Sequence, residues 1–338
     1  MIKKNTLLYI TLLIMASCKQ APQKIDFKKH FLLKNEITIN ETKNLSLSGI
    51  RDPRILKDSI YIPSYATNNI YVCDIKGNLK NMINKDDDLM LRMPYQIDVY
   101  KDKIYINDRG NHQLKITDLN YKELSTIKIQ GQVDQFFLIQ DKNDDINIIA
   151  QGVQQDQMEI VLFKKFDSSN KEVAAFGASS KETKIFSWKS CLDSANNVYC
   201  INTIEKKINA YSKDGKYLKK IELNSPTLET LLDGKELDDK TATEVVSYLK
   251  DKSYTSIKNI NCYKNYFFVQ YENSKPKGTK YVLDIFNSDG DAVFSGITMD
   301  DLILKIEGKT MTTLRNEAQK TTADQFGKII LKQYQIEL

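Results

Sequence analysis

The sequence predicts an all-β fold, a single six-bladed β-propeller, from three observations. Short runs of β-branched and aromatic residues alternate with Asp, Asn, Gly and Lys turns along most of the chain. A marker residue at the start of one strand recurs six times, at spacings of 44, 46, 48, 75 and 46 residues. The long interval falls to 45 residues without the 30-residue segment 225–254, which has helical character. A period near 46 with about four strands per unit is typical of propeller blades. The six markers are Ile70, Leu114, Ile160, Ile208, Leu283 and Ile329.

The composition is that of a folded globular protein. The chain has 338 residues, of which 41% are hydrophobic and 28% charged, and this balance excludes disorder and collagen. There are 49 Lys and Arg against 44 Asp and Glu, a net charge of +5 that falls to +3 without Lys3 and Lys4. Most of the positive charge is Lys, whereas nucleic-acid surfaces favour clustered Arg. We therefore expect no nucleic-acid partner.

Residues 1–17 are interpreted as a lipoprotein signal peptide. Lys3 and Lys4 precede an apolar run, Leu7 to Met15, that is too short to cross a bilayer of roughly 30 Å as a helix. The string Met15-Ala16-Ser17-Cys18 resembles the bacterial lipobox, which implies acylation of the Cys18 thiol and cleavage before that residue. Ordinary cleavage and a chance cysteine are the alternatives. Acylation would attach the protein to a membrane through its lipid.

Residues 18–29 are polar, contain Pro22 and are expected to form a tether. No acidic residue directly follows Cys18, which favours the outer membrane. The propeller is then expected over 30–338. The strand-like runs 36–39 and 328–336 predict closure of the last blade by an N-terminal strand, which removes an open sheet edge.

Segment 225–254 is predicted to be a short helical insertion between blades four and five. Ser225-Pro226 is typical of a helix start, and Leu228, Leu231 and Leu232 share one face of that helix. A second helix is expected from the capping box that ends at Glu244. The segment is too short to fold alone, so we expect it to lie on the propeller.

The run Tyr105-Ile-Asn-Asp-Arg-Gly-Asn-His112, followed by Leu114-Lys-Ile, resembles the NHL repeat. The layout of about 45–338 resembles the NHL and TolB-like six-bladed propeller lipoproteins of Bacteroidota, although only residues 90–125 keep the motif well. The resemblance implies a fold and often a binding role, without specifying a reaction. It also implies that the His112 imidazole hydrogen-bonds within its blade.

The cysteines and histidines predict no metal site and no cofactor. Neither a Cys-x-x-Cys pair nor a zinc spacing occurs, and the only histidines are His30, expected in the exposed tether, and His112. A turn at 194–197 would place Cys191 opposite Cys200 on a hairpin, at a separation compatible with a disulfide. Two buried free thiols are the favoured alternative.

No catalytic residue is predicted. The chain has no Gly-x-Ser-x-Gly, phosphate loop or His-Glu-x-x-His, and the string at 177–181 lacks the second Gly of a nucleophile elbow. Asp108 beside Arg109 is expected to brace a loop rather than form a catalytic dyad.

Loops that lead into inner strands share one propeller face with loops between second and third strands. Eight residues in such loops are expected to surround the channel, and Trp, Tyr and Arg are enriched in binding hot spots. The alternative is that Trp188 packs in a blade core and the arginines solvate a rim. The eight are Arg51, Arg54, Tyr65, Arg92, Tyr95, Arg109, Gln135 and Trp188.

The sequence favours a non-catalytic envelope protein that binds a protein, peptide or glycan. The alternative is a calcium-dependent lactonase of the gluconolactonase or regucalcin type, whose propeller needs acidic residues and Asn around the axis. The residues expected at the starts of the inner strands include few carboxylates. Convergence of two or more carboxylates and an Asn within reach of one metal ion would favour the lactonase. Those starting residues are Arg54, Tyr95, Gln135, Trp188 and Thr255.

Overall fold

The computed structural model describes residues 26–83, 89–141, 143–153, 160–179, 187–228, 244, 255–272, 281–317 and 327–338. These residues form six four-stranded antiparallel sheets, so the predicted six-bladed propeller is confirmed. No helix within these ranges is long and apolar enough to cross a membrane. The leader 1–17 and Cys18 lie outside the described residues.

Blades one to three each use four consecutive strands, ordered from the axis outwards. Blade one contains β2 (Arg54–Leu56), β3 (Ser59–Ser64), β4 (Asn69–Asp74) and β5 (Leu79–Ile83). Blade two contains β6 (Pro94–Tyr100), β7 (Lys103–Asp108), β8 (Gln113–Asp118) and β9 (Glu123–Lys128). Blade three contains β10 (Gln132–Gln140), β11 (Ile146–Val153), β12 (Ile160–Phe166) and β13 (Glu172–Ser179).

Blades four and five follow the same order, and blade six borrows its outer strand from the start of the chain. Blade four contains β14 (Trp188–Leu192), β15 (Val198–Asn202), β16 (Lys207–Tyr211) and β17 (Tyr217–Glu222). Blade five contains β18 (Ser256–Tyr263), β19 (Tyr266–Glu272), β20 (Tyr281–Asn287) and β21 (Ala292–Met299). Blade six contains β22 (Leu302–Glu307), β23 (Thr310–Glu317), β24 (Lys328–Ile336) and β1 (Phe31–Asn40).

All six marker residues fall on the third strand of a blade, as the repeat predicts. Ile70, Leu114, Ile208, Leu283 and Ile329 are buried. The apolar residues of neighbouring blades pack together, and for example Ile208 of blade four shares a core with Ile260 of blade five. The core therefore lies between blades, which is why each repeat must keep an apolar residue at this position.

The predicted closure is confirmed by nine paired positions between β1 and β24, from Phe31 with Ile336 to Asn40 with Lys328. Ile37 and Ile39 are buried in the core shared by blades six and one. Because β1 covers β24, that strand presents no open edge for association with another chain.

The first residues that the structure describes lie inside the predicted tether 18–29. A short helix, α1 (Phe27–His30), is capped by Asp26. Phe27 stacks on Phe31 at 4.6 Å between ring centroids and meets Tyr334 edge-on at 5.3 Å. His30 lies 3.3 Å from the Glu337 carbonyl oxygen through Nδ1. The tether prediction is therefore wrong for Phe27 and His30, because an apolar ring at 27 has a surface on which to pack.

The hairpins that join third and fourth strands repeat one hydrogen-bond pattern in five blades. A side-chain oxygen at the first turn position accepts the backbone N–H groups two and four residues later, as in Asp74 with Lys76 and Asn78, both at 2.9 Å. In such a turn the side-chain oxygen satisfies two backbone N–H groups that have no partner in the sheet. The capping residues are Asp74, Asp118, Asp167, Ser212 and Asn287.

The same pattern occurs at Asp141 and Asp193, in hairpins between first and second strands. Three of the hairpins between third and fourth strands contain a glycine with positive φ, and Gly77, Gly215 and Gly290 have φ values of +87°, +86° and +90°. At Gly77 a Cβ atom would also collide with the Thr38 carbonyl oxygen of the closing strand.

The helical insertion is described only at Ser225–Leu228 and at Glu244, which is helical; 229–243 and 245–254, with Leu231 and Leu232, lie outside the described residues. The chain bends at Pro226 and Thr227 instead of starting a helix there. The Ser225 hydroxyl donates to Asp284 at 2.6 Å, which anchors the start of the segment to blade five. Leu228 is fully buried between blades four and five, so this part of the segment lies on the propeller as predicted.

The possible Cys191–Cys200 disulfide does not form, and the favoured alternative of two buried free thiols is right for Cys200 and wrong for Cys191. Cys191 is bonded to Cys262, with a Cα–Cα distance of 5.8 Å, and the bond joins β14 of blade four to β18 of blade five. The hairpin after β14 has five turn residues instead of four, so Cys191 pairs with Tyr199 and Cys200 pairs with Ser190. A shift of one residue turns Cys200 to the other face of the sheet. Cys200 and Cys73 are buried free thiols, and burial raises the pKa of Cys73 to about 11.

Candidate functional site at the mouth of the axial channel

The two faces of the propeller differ in which loops they carry. The inner strands β2, β6, β10, β14, β18 and β22 start at the upper face, which also holds the loops between second and third strands. The lower face holds the hairpins capped by Asp74, Asp118, Asp167, Asp193 and their equivalents. At the upper face the axial channel opens into a cavity of about 320 Å³, called the mouth below.

Six of the eight predicted binding residues line the mouth: Arg51, Arg54, Tyr95, Arg109, Gln135 and Trp188. Tyr65 stands beside it, with the Arg51 guanidinium 5.1 Å from its ring centroid. Arg92 does not line the cavity. It lies on the rim of blade two, where its backbone N–H donates to Asp108 at 2.7 Å and its carbonyl accepts from Gly110 at 2.8 Å.

Sequence reasoning missed eight further residues of the mouth. Four of them are next to a predicted residue in the sequence, as Lys189 is next to Trp188, because only one residue was chosen at the start of each inner strand. The eight are Asp52, Asp134, Ser187, Lys189, Lys258, Asn259, Leu302 and Leu304.

A β-bulge at the upper end of an inner strand supplies four of the lining residues. The pairing register shifts across Tyr95 in β6, Asp134 in β10, Lys258 in β18 and Leu304 in β22. A bulge inserts one residue that has no paired residue on the neighbouring strand, and it changes the direction in which that side chain points. Each of these four residues lines the mouth, so the bulges build the site, and no motif in the sequence marks them.

Two guanidinium groups flank Tyr95. Arg51 lies 5.5 Å and Arg109 4.6 Å from the centroid of its ring. Arg109 also pairs with Asp134 at 2.9 Å and donates to Gln132 at 2.8 Å, so its direction is fixed. A guanidinium stacked on a ring keeps its N–H edge available for a planar anion.

Arg54 forms the floor of the mouth together with Asp52. Its Nη2 and Nε donate to one Asp52 carboxylate oxygen at 2.6 and 3.1 Å. Arg54 is only 7% exposed, and its Nη1 is buried without a hydrogen-bond partner among the described residues. Burial raises the pKa of Asp52, and the adjacent Arg54 charge opposes that effect.

Lys189 has no acidic partner in the described ranges. Burial lowers the pKa of its ammonium group, and the positive charges of Arg51 and Lys258 lower it further, while Asp134 and Asp52 act in the opposite direction. Lys258, in contrast, is paired with Glu272 at 2.7 Å. Lys189 is thus a partly buried cation that no described carboxylate neutralises through an ion pair.

Trp188 is chiefly a core residue, which agrees with the alternative that it packs in a core instead of binding a ligand. It is 7% exposed and packs with Phe163 and Phe176 between blades three and four. Its carbonyl oxygen accepts a hydrogen bond from Gln151 at 2.9 Å. The indole therefore closes one wall of the mouth, and little of its surface is free.

The carboxylates of the mouth are already neutralised by cations. Asp52 is bonded to Arg54 and Asp134 to Arg109, and the Asn259 amide donates to the Ile303 carbonyl. No group of three or more His, Cys, Asp and Glu in the described part of the chain could hold a metal ion. The donor set around the axis therefore differs from the carboxylate-rich set that Ca²⁺ prefers.

Below the mouth, the channel continues as a second cavity of about 240 Å³. The two cavities share Arg54, Gln135, Asn259 and Leu304. Asp98 and Lys305 face each other in the lower cavity at 3.6 Å. The unneutralised positive charge consequently belongs to the mouth.

The motif around Asp108 and His112 has a structural role. Asp108 is fully buried and accepts from Arg92, Asn111 and Gln113, so it braces its loop without pairing with Arg109. His112 Nδ1 lies 2.8 Å from the Gly131 carbonyl oxygen. That oxygen belongs to the link between blades two and three. The NHL resemblance implies a hydrogen bond within the blade, and the structure instead places this contact at the link to the next blade.

No protein-family model and no curated protein sequence matches this chain. Among solved structures it is similar to a member of the DUF4221 family from Bacteroides vulgatus, at 10% identity and a TM-score of 0.59 over 91% of this chain and 98% of that one. It is also similar to a Bacteroides fragilis protein described as exported, at 10% identity and a TM-score of 0.61 over 94% and 98%.

A gluconolactonase from Xanthomonas campestris shares 8% identity, with a TM-score of 0.52 over 93% of this chain and 97% of that one. At such low identity these likenesses show the propeller fold alone.

Proposed function

We propose that this protein is a lipid-anchored propeller of the cell envelope that binds a protein, peptide or glycan partner at the mouth, without catalysis. The observation that carries the proposal is the convergence of five cationic side chains with Tyr65, Tyr95 and an edge of Trp188 around one opening. Arg, Tyr and Trp supply most of the binding energy in recognition surfaces. The five cations are Arg51, Arg54, Arg109, Lys189 and Lys258.

A non-catalytic role is supported by what the polar groups of the mouth already do. Both carboxylates are committed to guanidinium groups, so neither is a free base or a metal ligand. The lactonase alternative requires free carboxylates at this position. A lactone-hydrolysis assay with and without Ca²⁺ tests it, and Ca²⁺-dependent turnover that is lost in Asp134→Asn would replace the binding role with catalysis.

The orientation of the chain supports presentation of the mouth away from the membrane. Strand β1 runs from the lower face, where Phe31 pairs with Ile336, to the upper face, where Asn40 pairs with Lys328. The segment that leads back towards Cys18 therefore leaves the lower face. With Cys18 acylated in the outer membrane, the mouth would point away from that bilayer.

Binding is tested by probing the mature protein against arrays of peptides and glycans. We expect at least one ligand whose binding falls tenfold or more in Arg51→Gln and in Tyr95→Ala, since each removes part of the guanidinium and tyrosine stack. Lys216→Gln on the lower face is the matched charge control and should bind as the wild type does. Ligands that bind all three variants equally would place recognition elsewhere and contradict the proposal.

The anchor has a separate test. A palmitate analogue should label the wild type, and Cys18→Ala should lose the label and leave the membrane fraction while the propeller stays folded. Unlabelled protein that remains with the membrane would show that the anchor proposal is wrong.

A further inference from the structure

The mouth holds more positive charge than the described acidic residues neutralise. Five cationic side chains line it and only two carboxylates, Asp52 and Asp134, do so. Each carboxylate is bonded to an arginine, and Lys258 is paired with Glu272 outside the lining. Arg51 and Lys189 are left without an acidic partner among the described residues.

The charges that act on the Lys189 ammonium locate it among the other groups of the mouth. They come from Asp134, Arg51, Lys258 and Asp52, all of which line the same cavity. Removing a cation from water without a partner has a free-energy cost that an anion in the cavity would offset.

Arg51 is held from behind by two rings. Its guanidinium carbon lies 5.1 Å from the Tyr65 centroid and 5.5 Å from the Tyr95 centroid, and no carboxylate accepts from it. A guanidinium placed in this way loses little further freedom when it binds a planar anion through two parallel N–H bonds.

Arg54 provides a second, independent sign of a missing acceptor. Its side chain is more than nine-tenths buried, and Nη1 has no hydrogen-bond partner among the described residues, although Nε and Nη2 are both bonded to Asp52. Buried charged N–H groups are normally satisfied, and Arg54 is a residue that lines both the mouth and the lower cavity.

The sign and the shape of the free groups define the ligand. A guanidinium matches a planar carboxylate through two parallel N–H bonds, and the neighbouring ammonium can donate to the same carboxylate. The cavity of about 320 Å³ holds a group the size of one sugar or amino-acid residue. Gln135 and Ser187 add neutral polar groups to its wall.

We propose that the mouth binds a monocarboxylate group of the partner, with the carboxylate between the Arg51 guanidinium and the Lys189 ammonium. This inference rests on the proposed function and names the chemistry that the same site recognises. The carboxylate can belong to an acidic sugar or to an acidic amino-acid residue.

Calorimetric titration of the mature protein with small probes tests the inference. The charged probes are glucuronate and the α-amide of N-acetylglutamate, which carry one carboxylate each, and the controls are glucose, the α-amide of N-acetylglutamine and inorganic phosphate. We expect saturable binding of at least one carboxylate, about tenfold weaker binding in Arg51→Gln and in Lys189→Met, and no change in Lys216→Gln. Whichever carboxylate binds identifies sugar or peptide as its source.

Thermal unfolding without ligand checks that both variants fold, so lost binding is not confused with lost structure. The inference is overturned if neither carboxylate binds, if glucose or phosphate binds equally well, or if both variants bind as the wild type does. An array ligand that depends on Tyr95 but is not displaced by the carboxylate that the mouth binds would overturn the inference and leave the proposed function standing. Absence of any array ligand at the mouth would instead remove the proposed function.

Discussion

The lower and upper faces of the propeller are built by opposite means. On the lower face, hairpin after hairpin uses one side-chain oxygen to accept two backbone N–H groups at 2.8–3.3 Å, as at Asp74, Asp193 and Ser212. On the upper face, the described residues of several blades line one cavity with different side chains. Bulged strands aim Tyr95, Asp134 and Lys258 at one cavity, and Lys189 is left without a partner there.

The difference separates what stabilises this fold from what the proposed binding site requires. Local, satisfied hydrogen bonds repeat because five blades use the same turn, and they are independent of one another. The mouth combines side chains from different blades. Among the described residues it holds a partly buried cation without an acidic partner, Lys189, and an Arg54 N–H without an acceptor. Such uncompensated groups are typical of functional sites, where stability is given up for binding.

The largest expected effect comes from the disulfide that joins blades four and five below the mouth. Cys262→Ser should lower the free energy of unfolding by about 2–4 kcal/mol, because Cys191 and Cys262 are 71 residues apart and the bond restricts the unfolded chain. Urea unfolding with and without reductant measures this. Reductant should bring the wild type to the stability of the variant; a wild type insensitive to reductant would contradict the bond.

Gln270→Leu should destabilise the upper half by about 2–3 kcal/mol. Its buried amide donates to the Asp301 carbonyl and accepts from the Ile303 N–H, both at 2.8 Å, and so joins blade five to blade six. The variant leaves both backbone groups unsatisfied in the core. The exposed Gln140→Leu on the lower face is the control and should change stability by less than about 0.5 kcal/mol in the same urea titration. Equal effects would show that this amide does not hold the blades together.

Asp193→Ala tests the lower hairpins. It removes the acceptor for the N–H groups of Ala195 and Asn197, both at 2.8 Å, and should cost about 1–1.5 kcal/mol, in the range of a lost helix cap. Asp193→Asn keeps an acceptor oxygen and should retain most of the stability. The same loss in both variants would assign the effect to charge instead of to the turn, and binding at the mouth should be unchanged in either case.

Lys189→Met should have the smallest effect and the opposite sign, a gain of about 0.5–1 kcal/mol, because it removes a partly buried cation close to Arg51 and Lys258. The folded-state pKa of Lys189 is below the unfolded value, so the folded protein binds this proton less readily. Wild-type stability should therefore rise relative to the variant as pH increases through the folded pKa of Lys189 towards its unfolded value near 10.4. Unfolding measured at pH 7 and pH 9.5 checks the sign, and a variant less stable than the wild type at pH 7 would show that Lys189 has a stabilising contact.

Local patterns in the sequence were enough to predict the repeated parts of the fold. Ile70, Leu114 and Ile329 recur at blade spacing because each must be buried between neighbours, and Gly77 occupies a turn that requires positive φ. The closing strand could be predicted for the same reason, because Ile37 and Ile39 alternate with polar residues.

Features that depend on contacts between blades could not be predicted in this way. The partner of Cys191 is set by the packing of β14 against β18, and a one-residue register shift removed Cys200 as an alternative. The rule for propeller loops brought Arg51, Tyr95 and Arg109 to one face, but not the ion pair of Arg109 with Asp134. Lys189 was missed because its environment comes from charges on other blades.

The antiparallel pairing of β1 with β24 also determines how the molecule responds to mechanical tension. A pull on the segment before α1 acts along β1, parallel to its axis, and loads the nine paired positions in shear. Strands sheared lengthwise must break these pairs together, whereas strands peeled from one end break them in succession. The contact of Phe27 with Phe31 and Tyr334 adds further packing at the end of β1 where the force is applied. The pairing of β1 with β24, which closes the propeller, is thus oriented to resist a force that pulls on the N-terminal side of the chain.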